Sequence, residues 1–144
     1  MGKKRIIKKE GGTVDQELKA RSLDRVPKKK LISGVLYIQS TYNNTLMTLS
    51  DTGGNAIMWG TSGSLGFKGA KKGTPFAASK VAELLADKAK MMGLRDVDVV
   101  IKGVGAGRES AIRTFIAKGI GINIIRDATP IPHNGPKPRK PRRV

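Results

Sequence analysis

Between Val97 and Ile125 one short run carries a strand pattern, a glycine loop, a helical pattern and a second strand, and this run constrains the topology more than any other. Val97 to Ile101 is apolar and rich in β-branched residues, as a buried strand requires. Gly103-Val104-Gly105-Ala106-Gly107 follows as a loop, and a helix is predicted from Arg108 to Lys118. Ile112, Phe115 and Ile116 are expected to face inward, with Gly119 closing the helix and Ile120 to Ile125 forming the last strand. A strand–helix–strand unit of this length pairs its strands in parallel through a right-handed crossover.

Upstream the pattern is a meander. Val35 to Ile38, Leu46 to Leu49 and Ala56 to Trp59 read as three strands. Asn43-Asn44 occupies the first turn, where a tight turn tolerates left-handed backbone angles, and Asp51 to Asn55 the second. Trp59 falls in the strand pattern and is expected in the core. Gly60 to Gly73 holds five glycines, with Phe67, Lys68, Lys71 and Lys72 among them and no acid, and reads as a loop. Thr74-Pro75 then signals a helix N-cap with proline in the first turn. Apolar positions 78, 81, 82, 85, 89 and 92 recur at helical spacing up to Gly93, and Lys88 and Lys90 suit the C-terminal end of the dipole. The predicted fold is α/β: a mixed five-stranded sheet, antiparallel meander plus parallel strand–helix–strand unit, with helices packed on it. Three regions follow: a basic N-terminal extension over 1–32, a domain over 33–128, and an extended basic tail over 129–144.

Charge points to the partner. The 144 residues hold 28 Lys and Arg against 11 Asp and Glu, a net of +17. Residues 1–34 hold 11 basic and 4 acidic side chains, and residues 135–144 hold 5 basic and none acidic, so twelve of the excess charges sit near the two ends. Self-repulsion of this size stabilises no small domain, whereas a polyanion neutralises it. Lys3, Lys4, Arg5, Lys8 and Lys9 cluster at one end, and Pro136, Pro138 and Pro141 keep the other extended. Such arms order on nucleic acid. Val14 to Leu23 is long enough for a short helix when bound, bounded by Gly11-Gly12 and Pro27.

Catalytic readings find little support. There is no Cys, hence no disulfide, thiolate ligand or thiol nucleophile, and one His makes a zinc centre poor chemistry. Gly103-x-Gly105-x-Gly107 has the place of a dinucleotide loop, with Asp127 near the position of a ribose-binding acid, but the fingerprint needs its third glycine one residue later, where Arg108 stands. Asp51, Glu83, Asp87, Asp96, Asp98, Glu109 and Asp127 form no recognisable metal set. No cofactor and no catalytic or metal residue is expected. Neither a secretory signal nor a membrane span is expected, which leaves the cytosol as the default setting.

Glycine loops beside helix N-termini let backbone N–H groups approach phosphate, with Lys and Arg supplying charge. Lys68 to Lys72 and Gly103 to Arg108 both fit. In the second, Gly103, Gly105 and Gly107 are expected to cradle RNA backbone while Arg108 closes over it, because a plain connector needs at most one of those glycines. Tyr42 and Phe67 are candidates for stacking on unpaired bases, with packing roles as the alternative. Aromatic residues make up only 4% of the chain, so paired stacking residues on a sheet face are not expected.

Several motifs together resemble one family. Tyr42-Asn43-Asn44-Thr45, Asp51-x-x-Gly-Asn55-Ala56, Trp59-x-Thr-x-Gly63, Gly66-Phe67-x-Gly69, Thr74-Pro-Phe-Ala-Ala78, Lys102-Gly103, Gly107-Arg-Glu-Ser110 and Asp127-x-Thr-Pro-Ile-Pro-His-Asn-Gly135 are similar to the small ribosomal subunit protein eleven family in its bacterial and organellar form. The resemblance spans about residues 33–144 and includes the closing Arg142-Arg143-Val144. It implies a ribonuclease-H-like strand arrangement without catalytic acids, and a non-enzymatic role in translation. It also implies binding to small-subunit rRNA on the platform, near the exit site and the helix that upstream messenger forms with the rRNA 3′ end. Neighbouring platform proteins numbered seven and eighteen are the implied protein partners, in a cytoplasmic or organellar ribosome. RNA contact carries over to Asn43, Asn44, Lys68, Lys71, Lys72, Arg108, His133 and Asn134, and extends to both tails, including Lys137, Arg139, Lys140, Arg142 and Arg143. Two departures stand out: Val104 and Ala106 replace prolines usual in bacterial relatives, and Pro136 replaces a common cysteine. A free-standing RNA-binding or RNA-chaperone protein is the alternative reading, and a nucleotide-using enzyme the third.

Overall fold

Five strands and two helices account for the body of the protein, in a computed structural model that describes Pro27 and residues 29–143. The helix expected between Val14 and Leu23 and the cluster Lys3 to Lys9 lie outside the described residues. In chain order come β1 (Ser33–Ser40), β2 (Thr45–Ser50), β3 (Ala56–Thr61), α1 (Pro75–Met91), β4 (Asp96–Lys102), α2 (Gly107–Ala117) and β5 (Gly121–Asp127). The stretch between β3 and α1 holds two short 3-10 turns, Gly63–Leu65 and Gly69–Gly73.

The sheet order is β3-β2-β1-β4-β5. β1 pairs antiparallel with β2 and β2 with β3, while β4 joins β1 and β5 joins β4 in parallel. The meander and the crossover unit thus meet as expected, with β1 central. β5 begins at Gly121, one residue later than predicted, because the N–H of Ile120 is used to close α2.

Alternation along the strands sends Leu36, Ile38, Met47, Leu49, Val97 and Val99 into one core beneath the helices. Burying each such side chain stabilises the fold by about 1.5–3 kcal/mol. α1 answers with Ala78, Val81, Ala82, Leu85, Ala86 and Ala89, and α2 with Ala111 and Phe115. Leu31, just before β1, also packs on this core, and its N–H donates to Met92 O.

Helix ends follow the sequence signals. Thr74 Oγ1 accepts from Ala77 N at 3.3 Å, with Pro75 in the first turn. At the other end Gly93 (φ +88°) donates to Lys90 O and Leu94 N to Ala89 O, the paired bonds of a Schellman stop. Gly119 and Ile120 repeat this at α2, donating to Ile116 O and Phe115 O. Lys118 ties the two helices together through Glu83 and Asp87 at 3.1 and 3.0 Å.

Two expectations fail. Trp59 is not core: its side chain is 65% exposed on the face of the sheet that no helix covers. Strand register puts Trp59, Thr48, Tyr37, Val100 and Arg126 in one row across that face, so two exposed aromatics share it despite the low aromatic content. Ile116 is 55% exposed, since Ala111 and Phe115 already fill the inward face of a short helix. The Asn43-Asn44 turn forms where expected and needs no left-handed residue: Thr41 closes it, its N–H donating to Asn44 O while its Oγ1 accepts from Asn44 N. Among the described residues Asn134 alone, of those other than glycine, has positive φ, at 55°.

Candidate nucleic-acid interface

Parallel pairing points the C-terminal ends of β1, β4 and β5 the same way, and the loops leaving β1 and β4 meet at that end. The Gly103–Gly107 loop lies against the end of β1: a Cβ on Gly103 would overlap Ser40 O, and one on Gly105 would overlap Thr41 O and Ser40 Oγ. The turn after β1 in its turn presses on the lysine loop, where a Cβ on Gly73 would overlap the carbonyl of Tyr42. Asn43 and Asn44 therefore sit beside the turn that carries Lys71 and Lys72, and both helices begin next to these loops. Ala106 precedes α2 and gives it no side-chain cap, so the first-turn N–H groups keep their partial positive charge.

The predicted residues divide by environment. Asn43, Lys68, Lys71, His133, Asn134, Lys137, Arg139, Lys140, Arg142 and Arg143 are exposed, and Lys72 is half-buried. Asn44 is half-buried, and its Oδ1 meets no hydrogen-bond donor among the described residues. Residues 128–143 form no helix or strand. Phe67 packs edge-on against Phe76 at 6.0 Å between ring centres, while Tyr42 is 79% exposed.

The glycine loop is built differently from a phosphate cradle. Gly105 N donates to Ser40 O at 2.9 Å and Gly103 N to Thr129 Oγ1 at 3.2 Å, so both amides are used inside the protein. Gly105 and Gly107 are themselves buried. Each of the three glycines has a packing reason, which corrects the expectation that a connector needs only one.

Arg108 is likewise engaged. Its guanidinium donates to Gly103 O, to Thr129 Oγ1 at 3.3 Å and to Asp127 Oδ2 at 2.5 Å. Asp127 Oδ1 accepts from both the N–H (2.9 Å) and the hydroxyl (2.6 Å) of Thr129. These bonds, first that from the Thr129 hydroxyl, then those from Arg108 and the Thr129 N–H, hold the Asp127 carboxyl well below the usual carboxylate range. Asp127 therefore serves Arg108 and Thr129 and not a ribose, and the role of Thr129 is signalled in the sequence only by an acid two residues before a threonine at a strand end, the spacing of an Asx turn. Among the described residues no group of three or more His, Asp and Glu is placed to hold a metal, and no helix is long and apolar enough to cross a membrane.

A sheet covered on one face, with glycine loops, helix N-termini and the root of a basic arm gathered at one end, defines an α/β domain. The family described as Ribosomal protein S11 matches residues 34–143, and the chain belongs to that family. Small ribosomal subunit protein uS11 of Treponema pallidum is 56% identical over 120 residues, covering 83% of this chain and 95% of the relative. The protein of the same name from Acaryochloris marina is 53% identical over 124 residues, covering 86% and 95%.

Proposed function

We propose that this protein is a structural, non-catalytic constituent of the small ribosomal subunit, held there by contact with small-subunit rRNA. The observation that carries the reading is the gathering, at one end of the sheet, of the Asn43-Asn44 turn, the Lys68–Lys72 loop, the uncapped start of α2 and the root of the basic C-terminal arm. Asn43, Asn44, Lys68, Lys71 and Lys72 supply polar and cationic contacts to the RNA backbone. Gly103, Gly105 and Gly107 shape the adjoining surface and Arg108 brings charge to it. His133 and Asn134 continue this surface into the arm, where Lys137, Arg139, Lys140, Arg142 and Arg143 add five charges with no acid to offset them.

The finer reading places the protein on the platform near the exit site and the upstream messenger helix, beside the proteins numbered seven and eighteen. Its setting is a cytoplasmic ribosome, with an organellar one as the other possibility. A domain over 33–128 carries a basic extension (1–32) and tail (129–144), and the strand order β3-β2-β1-β4-β5 supports a ribonuclease-H-like topology. The test is sedimentation of the native protein with high-salt-washed ribosomal particles. Comigration with the small subunit is expected, and recovery only in the particle-free fraction would favour a free-standing RNA-binding protein instead.

A further inference from the structure

We propose that Asp127, with Thr129, is a positioning residue that latches the root of the C-terminal arm to the Gly103–Gly107 loop and so aims the arm's cations at the RNA. The inference rests on the rRNA-binding reading above.

The geometry is specific. Ala128 N donates to Ile101 O at 2.8 Å, which carries the end of β5 onto the end of β4. One residue later Thr129 Oγ1 meets the amide of Gly103, the guanidinium of Arg108 and the carboxylate of Asp127. A hydroxyl donates one hydrogen and accepts at its lone pairs, so Thr129 donates to Asp127 and accepts from the other two. The chain then runs straight into Pro130, Pro132, His133 and Asn134. Prolines stiffen this stretch, so a direction fixed at Thr129 is transmitted toward the arm.

Charge makes the arrangement informative. Asp127 is an acid among cations that the proposed function directs at a polyanion, and by simple electrostatics it weakens RNA binding. A latch offsets that repulsion by lowering the ordering cost that the arm meets on binding. The two effects have opposite signs, and one substitution separates them.

Asp127→Ala removes a negative charge and the latch together. Thr129→Val removes the bridging hydroxyl at nearly constant shape and no change of charge. Binding of each full-length variant to full-length small-subunit rRNA transcribed in vitro is measured at fixed salt. Asp127→Ala is expected to bind about 5–10-fold more weakly despite its higher net charge, and Thr129→Val about 3-fold more weakly. Both losses are expected to vanish when Lys137, Arg139, Lys140, Arg142 and Arg143 are all replaced by Gln, since the latch acts through them. Wild-type or tighter binding by both variants overturns the proposal, as does an undiminished loss in the Gln background. NMR relaxation of the free protein gives a readout independent of RNA. Thr129 and Ile131 amides are expected to be as rigid as the core in wild type and mobile in both variants; unchanged rigidity also overturns the latch. Failure of the wild-type protein to bind rRNA above a tRNA control removes the functional reading instead, and the relaxation data still decide whether the latch exists.

Discussion

A Cβ placed on Gly107 would stand 2.7 Å from the Cβ of Ala78 and 2.5 Å from Oγ1 of Thr45, so the first residue of α2 is wedged between α1 and the start of β2. Gly107→Ala carries no dihedral penalty, since this glycine is not among those with positive φ. It overpacks a buried site, and the expected cost is about 1–3 kcal/mol. Urea titration checks it: the midpoint falls while the slope stays constant, because the loss is local packing and not compactness.

Gly105 is pressed against backbone, which cannot rotate aside as a side chain can. A side chain there meets Thr41 O and Ser40 Oγ while the Gly105 amide is bonded to Ser40 O. Gly105→Val is therefore expected to lower stability more than Gly107→Ala, before any effect on RNA is considered. Thermal melts of the two free variants decide the order. A Gly105→Val protein that melts like wild type would return the loop to a phosphate-cradle role.

The glycines also mark where sequence reading stopped. Their spacing located the loop, yet the reason lies in contacts with Ser40, Thr41 and Thr45, which are distant in sequence. Local signals did better: Thr74-Pro75, Gly93 and Gly119 set the helix ends, because capping is a contact between near neighbours. The exposure of Trp59 is not legible in the sequence, because a strand pattern gives alternation without saying which face the helices cover. Ile116 failed for the same kind of reason on a helix. At the candidate site the cationic residues were legible as types in loops, whereas the bonding of Arg108 to Asp127 and Thr129 needed the fold to bring β5 beside the loop.

Acid is expected to weaken the turn between β2 and β3. Lys29 Nζ donates to Asp51 Oδ2 at 2.9 Å, and the backbone and side chain of Asn55 add further bonds. Chiefly through Lys29, these hold the Asp51 carboxyl well below its usual range. A depressed folded-state pKa contributes stability that is present above the unfolded value, near about 3.9, and is lost as pH falls through the folded value. Asp51→Asn should therefore lower stability at neutral pH, with the gap to wild type closing under strong acid. Denaturant titrations of both proteins across that range test it, and a gap independent of pH would contradict the assignment.

Trp59 is the single tryptophan and is 65% exposed, so it reports on the uncovered sheet face. Emission of the free protein is expected to resemble indole in water and to be quenched efficiently by acrylamide. Unfolding should shift it little. A blue-shifted, protected emission would mean that this face is covered in solution.

The net charge of +17 fixes the form of the salt dependence. If the interface neutralises about six to ten phosphates, affinity for small-subunit rRNA falls by about 10³–10⁵ between 50 and 200 mM salt. Lys71 is exposed and Lys72 half-buried, on a turn whose own residues contribute nothing to the buried core. Replacing both with Gln keeps the Lys72 stem that lies near Gly63, so the melting temperature should change little. Every phosphate that is no longer neutralised reduces the slope of log affinity against log salt by about one, so the double variant should show a slope shallower by about two. The measurement is a titration at several salt concentrations for wild type and variant. A flat wild-type plot would exclude backbone neutralisation as the source of affinity. An unchanged slope in the variant, with wild-type stability, would remove the lysine loop from the interface and leave the Asn43-Asn44 turn and the arm to carry it.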